Sequence, residues 1–315
     1  MQFRTIIKSK QQDNLIDYKS NIVLIGSCFT QNIGNKLDYY NFTNFINPFG
    51  ILFTPTAIEN LIVSALNNKK YTDNELVFYN ELWHCLDVHS DFSHCDKNIV
   101  LDFINTTLIK TKTDLKNASH IIITLGTSWV YRYNKTNNLV ANCHKIPQKQ
   151  FTKEILSVHE IKNSLQNIMN TINKVNKKIE VIFTVSPVRH LKDGFIENQQ
   201  SKSHLLTAIH QVLTKNASYF PAYEIMMDDL RDYRFYKKDM LHPNEIAIDY
   251  IWDNFIATWI KASEKETMEQ VAQIRKGLAH KPFNENSKQH KFFLEKLKQK
   301  IDFLKTNKSI VINSY

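Results

Sequence analysis

Glycine is scarce: six residues in a chain of 315. No Gly-x-Gly-x-x-Gly follows an apolar run, and no Gly-x-x-x-x-Gly-Lys-Ser/Thr occurs, so dinucleotide-binding and P-loop readings are excluded. The four cysteines, Cys28, Cys85, Cys95 and Cys143, are scattered without a Cys-x-x-Cys pair. That argues against a disulfide framework or a zinc site and for free thiols in a reducing compartment. No apolar run approaches the ~20 residues of a membrane span. Met1-Gln2-Phe3-Arg4 opens on no apolar leader stretch, so a cytoplasmic location is expected. The net charge is +9, with 12 Lys and Arg against 6 Asp and Glu between Lys261 and Lys308, a local net of +6. No helix-turn-helix or glycine-aromatic pattern accompanies that basic tail. It reads as a solvated lysine-rich helical face, and no nucleic-acid partner is expected.

What is present is a repeated unit. Ile22-Val23-Leu24-Ile25-Gly26-Ser27-Cys28 is a short apolar run, then a glycine turn, then a Ser-Cys pair. Gln31 to Leu37 continues at helical spacing. His120 to Leu125 and Glu180 to Val185 are further runs, ending in Gly126-Thr127-Ser128 and Ser186-Pro187-Val188-Arg189-His190. Tyr219 to Met227 is expected to be a fourth strand. Helices are expected from Thr56 as N-cap with Glu59 as its capping-box partner, over Ile161–Val175 and Ser201–Leu213, and around Ile246–Phe255. Phe3 to Ile7 reads as an edge strand or lead-in. Pro48 and Pro55 bound a loop. Residues 77–103 read as strands or loop, and their His84, His89 and His94 match no metal-ligand spacing. Strands alternating with helices predict an open parallel α/β sheet whose site lies at the carboxyl ends of the strands.

Two features carry chemistry. A strand, a glycine turn with Ser27 and Cys28, and a helix present a nucleophile beside free helix N–H groups. Asp239 and His242, three residues apart before Pro243 and a helix, form the base-and-orienter half of a nucleophilic triad. Arg189 and His190 stand at a strand tip, where they can meet an anionic or sugar group.

Gly26-Ser27-Cys28-Phe29-Thr30 resembles the signature of the GSCFA family, with Thr30 in the place of its final alanine. Asn47-Pro48-Phe49-Gly50, Leu125-Gly126-Thr127, Ser186-Pro187-Val188-Arg189 and Asp239-Met240-Leu241-His242-Pro243 extend the likeness over roughly residues 20–260. That family is grouped with the SGNH/GDSL hydrolases. The resemblance implies a three-layer α/β/α open parallel sheet, SGNH-hydrolase-like and flavodoxin-like, over residues 1–262, with a helical basic appendage over 263–315. It implies ester hydrolysis without a metal or cofactor, on a small-molecule or carbohydrate ester. Laid on Gly-Asp-Ser-Leu, the nucleophile position falls on Cys28, with Ser27 the neighbouring alternative. Gly50 stands for the oxyanion glycine, and Gly126 opens the third motif of the site. Ser128 stands where the superfamily has Gly-x-Asn-Asp, with His144 and Arg189 as substitute donors for the missing asparagine. That loss, and the doubled Ser-Cys, keep a second reading open: a non-catalytic ligand-binding module on the same fold.

Overall fold

The computed structural model describes residues 4–8, 10–308 and 310–312. Strands β1 (Ile22–Gly26), β2 (Asn44–Ile46), β3 (His120–Leu125), β4 (Glu180–Val185) and β5 (Ala217–Phe220) form one sheet. Every pairing is parallel, and the spatial order is β5-β4-β3-β1-β2. The helices are α1 (Cys28–Tyr39), α2 (Pro55–Leu66), α3 (Lys97–Asn117), α4 (Val158–Val175), α5 (Phe195–His210), α6 (Glu245–Trp259), α7 (Lys265–Ala279) and α8 (Lys288–Lys308).

Alternation along the strands divides the core in two. Val23, Ile25, Ile121, Ile123, Val181 and Phe183 pack against α2, α3, α4 and α5. Ile22, Leu24, Ile122 and Ile182 point the other way, against Phe29 and Ile33 of α1 and Ile251, Trp252 and Phe255 of α6. Period-two side chains buried on both faces explain why β1, β3 and β4 are continuous apolar runs. The result is the expected three-layer α/β/α arrangement, in the strand order of a doubly wound flavodoxin-like sheet.

Several local expectations are corrected. β5 ends at Phe220 because Pro221 follows it, and Ala222 to Leu230 winds into helical turns that bring Ile225, Met226 and Leu230 into the α1/α6 core. α2 begins at Pro55 with Thr54 as N-cap, and Glu59 instead accepts a hydrogen bond from Asn167 Nδ2 at 2.6 Å. α5 begins six residues before Ser201, at Phe195. Leu76–Tyr79 and Leu82–Cys85 do pair as a hairpin, but Lys97 onward is α3. A three-stranded antiparallel sheet (Trp129–Tyr133, Asn138–Val140, Phe151–Ile155) stands between β3 and α4. Arg4 to Ile7 forms no strand; Phe3 lies outside the described residues. Among the described residues no helix is long and apolar enough to cross a membrane.

The C-terminal helices dock on the body. Val271 and Ile274 of α7 meet Leu297 and Leu304 of α8, with Tyr18 against the cluster. Met268 enters the α1/α6 core.

Candidate active site

Chain connections leave β1 and β3 toward opposite faces of the sheet, so the crevice at their carboxyl ends is the topological switch point. Gly26 pairs with Thr124 there. A Cβ on Gly26 would lie 2.4 Å from Thr124 O, so no side chain passes. Ser27 N–H then donates to Thr124 O at 3.2 Å, and α1 starts.

The two neighbours have different roles. Ser27 is the N-cap: its Oγ accepts from Phe29 N–H at 3.2 Å, and its carbonyl accepts from Thr30 N–H at 2.9 Å. Its side chain is buried. Cys28 is the first helical residue and half-buried. Burial pushes its thiol up, while the Cys28 and Phe29 N–H groups, Lys202 and Lys237 pull against that shift. Favourable partial charge at a helix N-terminus acts in the same sense.

Asp239 and His242 meet as the sequence suggests. Asp239 Oδ2 lies 2.7 Å from His242 Nδ1, and Oδ1 accepts from Leu241 N–H at 2.9 Å and His242 N–H at 3.0 Å. Those two N–H groups and the imidazole hold the Asp239 carboxyl down to about 2. The geometry assigns the proton to Nδ1, leaving the Nε2 lone pair outward. The turn is tied to the sheet edge by Arg189 N–H on Leu241 O at 3.2 Å, and Lys237 N–H donates to His242 O at 2.8 Å. Arg189 itself lies 4.4 Å over the Tyr236 ring and 5.1 Å over that of Tyr233. Neither Ser27 nor Cys28 hydrogen-bonds His242 among the described residues. Catalytic contacts are often long before substrate arrives.

The expected oxyanion donors do not assemble. Gly50, at φ +75°, lies where a Cβ would meet His89 Cβ at 2.3 Å. Its N–H is spent on Asn47 O at 2.8 Å. Gly126 N–H donates to Phe53 O at 2.8 Å. Ser128 is fully buried, its N–H on Ser201 Oγ at 2.7 Å and its hydroxyl on Ser201 O at 3.4 Å. His144 anchors another loop, with Nε2 2.9 Å from Cys85 O and 3.2 Å from Val88 O. Burial and His84 bring its imidazole down to about 4. His84 is held by Ser93 Oγ and Tyr79 O.

Three further residues stand at the crevice. Asn47 Oδ1 accepts from Gly26 N–H at 2.9 Å, which fixes its amide orientation and leaves Nδ2 buried without a partner. Lys202 of α5 is buried, its Nζ donating to Gly126 O at 2.7 Å and Ser186 O at 2.8 Å. His190, expected at a strand tip to meet an anionic or sugar group, keeps Nε2 buried and unpartnered. Burial, Lys202 and His242 bring its imidazole down to about 3. The Asn-Pro-Phe-Gly run was a signal for Asn47; nothing in the sequence marked Lys202. Beside His190 opens a cleft of about 360 Å³ lined by Phe53, Thr127, Trp129, Asn142 and Lys192 among others.

The chain belongs to the GSCFA family, whose sequence model matches residues 21–255. A second model, described as GSCFA domain protein, C-terminal domain, matches residues 271–310. No curated protein matches the chain. Among solved structures it is similar to a carbohydrate esterase family 3 from Talaromyces cellulolyticus, at TM-score 0.36 and 8% identity over 75% of this chain and 94% of that one. It is also similar to an acetyl esterase mutant with acetate ion, at TM-score 0.38 and 10% identity over 80% of this chain and 99% of that one. Both likenesses are too distant to carry a function across.

Proposed function

We propose that this protein is an SGNH-like ester hydrolase or acyl transferase in which Cys28 is the nucleophile. The observation that carries the reading is the Asp239–His242 pair at 2.7 Å. The turn that carries the pair is bonded to the β4 exit through Arg189 N–H on Leu241 O, and α1 opens with Cys28 at the β1 exit of the same sheet. His242 Nε2 takes the thiol proton as sulfur attacks the ester carbonyl. The oxyanion is held by the Cys28 N–H and by Asn47 Nδ2, the buried donor that lacks a partner. The alkoxide leaves with the proton from His242, and the thioester passes its acyl group to water or another hydroxyl. Asp239 orients the imidazole and stabilises its cation. Ser27, engaged as the helix cap, is the weaker candidate. An O-acetyl ester of a carbohydrate is the substrate class this reading favours.

The absence of a Cys28–His242 hydrogen bond among the described residues favours a second reading, a non-catalytic module that binds ligand on the same fold. Turnover of aryl acetates and acetylated sugars separates the two. The enzyme reading expects hydrolysis that disappears in Cys28→Ala and falls by about 10²–10⁴ in His242→Ala. Native protein that binds such esters without turning them over supports the module.

A further inference from the structure

Lysine is rarely buried, because an ammonium out of water is costly unless an anion meets it. Lys202 is 1% exposed. Its two hydrogen bonds go to Gly126 O and Ser186 O, the first carbonyls beyond β3 and β4. Both acceptors are neutral, and among the described residues no carboxylate pairs with it. The Tyr223 ring lies 5.5 Å away. Two directions on the nitrogen are therefore taken by carbonyls, and the third lacks an acceptor.

The group that can supply negative charge there, as thiolate, is Cys28. Among the described residues it is the one acidic group that raises Lys202 against burial, and Lys202 is the first of the two lysines that lower Cys28. The main chain brings the two segments to one strand exit: Ser27 N–H, one residue before Cys28, is held on Thr124 O, and Lys202 Nζ on Gly126 O.

We propose that Lys202 is a positioning residue for Cys28, a buried counter-charge that stabilises the sulfur whenever it is anionic. The inference deepens the reading of Cys28 as nucleophile. The sulfur is anionic after its proton passes to His242, and again when the thioester breaks down and thiolate leaves. No covalent bond to Lys202 forms or breaks. Burial brings Lys202 down to about 7, and negative charge on Cys28 raises it, so the ammonium is firmest when the thiolate is present. The other titratable groups around this pair are His242, the base of the proposed reaction, Lys237, which is exposed and screened by solvent, and His190, which burial keeps neutral.

The test needs no ester. Alkylation of Cys28 by iodoacetamide is followed from pH 6 to 10 by peptide mass spectrometry, with the exposed Cys95 as internal reference. Lys202→Met removes charge and hydrogen bonds; Lys202→Gln keeps amide donors for the two carbonyls and removes only the charge. Both variants are expected to raise the Cys28 midpoint by at least about one pH unit, roughly tenfold slower reaction at pH 7, with Cys95 unchanged. An unchanged midpoint in both, or a shift in Lys202→Met that Lys202→Gln restores, overturns the proposal. Should thermal melts show either variant unfolded, the wild-type chain decides. A buried ammonium favours iodoacetate over iodoacetamide more at Cys28 than at Cys95, and equal ratios overturn it. Loss of esterase turnover would leave this measurement intact, so the two readings fail separately.

Discussion

Replacing Ser27 with alanine separates the cap from the nucleophile. Ser27 Oγ accepts one hydrogen bond, from Phe29 N–H at 3.2 Å. The main-chain bonds of the turn, Ser27 N–H to Thr124 O and Thr30 N–H to Ser27 O, do not involve the side chain. Ser27→Ala therefore removes an N-cap and little else, which costs about 1 kcal/mol. At about 2–4 °C per kcal/mol for chains approaching this size, the melting temperature falls by a few degrees at most. Cys28 keeps its position, so ester turnover at a temperature well below the transition stays within about threefold of wild type, a change of ~0.65 kcal/mol in barrier. Urea denaturation gives the stability change and an aryl acetate assay gives the rate. A variant as stable as wild type that has lost turnover would refute the assignment and make Ser27 the nucleophile.

Other outcomes follow from the same geometry. Asn47→Ala leaves the buried Gly26 N–H without its acceptor, which costs about 1–3 kcal/mol; if Nδ2 holds the oxyanion, turnover also drops by about 10²–10³, and full turnover in a destabilised variant removes Asn47 from the chemistry. Buried His144, whose imidazole is brought from 6.5 down to about 4, is protonated in the unfolded chain before the folded one. Its contribution is present above pH 6.5 and is lost as pH falls through that range toward 4, so denaturation midpoints should fall there and His144→Asn should flatten the slope. Removing residues 263–315 takes Met268 from the main core and uncovers Tyr18; the melting temperature should drop, while turnover at low temperature survives. Loss of turnover in a truncated chain that still folds would give the C-terminal helices a part in the site.

The sequence made β1, β3 and β4 legible because strands covered on both faces must be apolar without interruption. β2 escaped because it is three residues long and starts on Asn44. α3 escaped because exposed Ile99, Phe103 and Ile109 blur the period of its buried stripe, Val100, Ile104, Leu108 and Leu115. The Asp239–His242 pair is local, three residues of turn, so its spacing, read with the nucleophile turn at β1 and with Pro243, located it. The oxyanion donors were not local. Gly50 N–H is consumed within its own turn by Asn47 O, and Gly126 N–H by Phe53 O, a partner that only the tertiary fold supplies. Lys202 sits between Ser201 and Ser203 in a polar stretch, and no periodicity distinguishes a buried lysine from a solvated one. Asn47 gains its place from the pairing of β2 against β1, with its own N–H on Leu24 O at 2.8 Å.

The most direct measurement is the mass of the acylated peptide. Native protein is mixed briefly with an activated acetyl ester, quenched in acid and digested, and the acetyl group is located by tandem mass spectrometry. The account predicts a thioester on Cys28, absent in Cys28→Ala and formed much more slowly in His242→Ala. Acetyl on Ser27, or no acetylated peptide from protein shown to be folded, would contradict it.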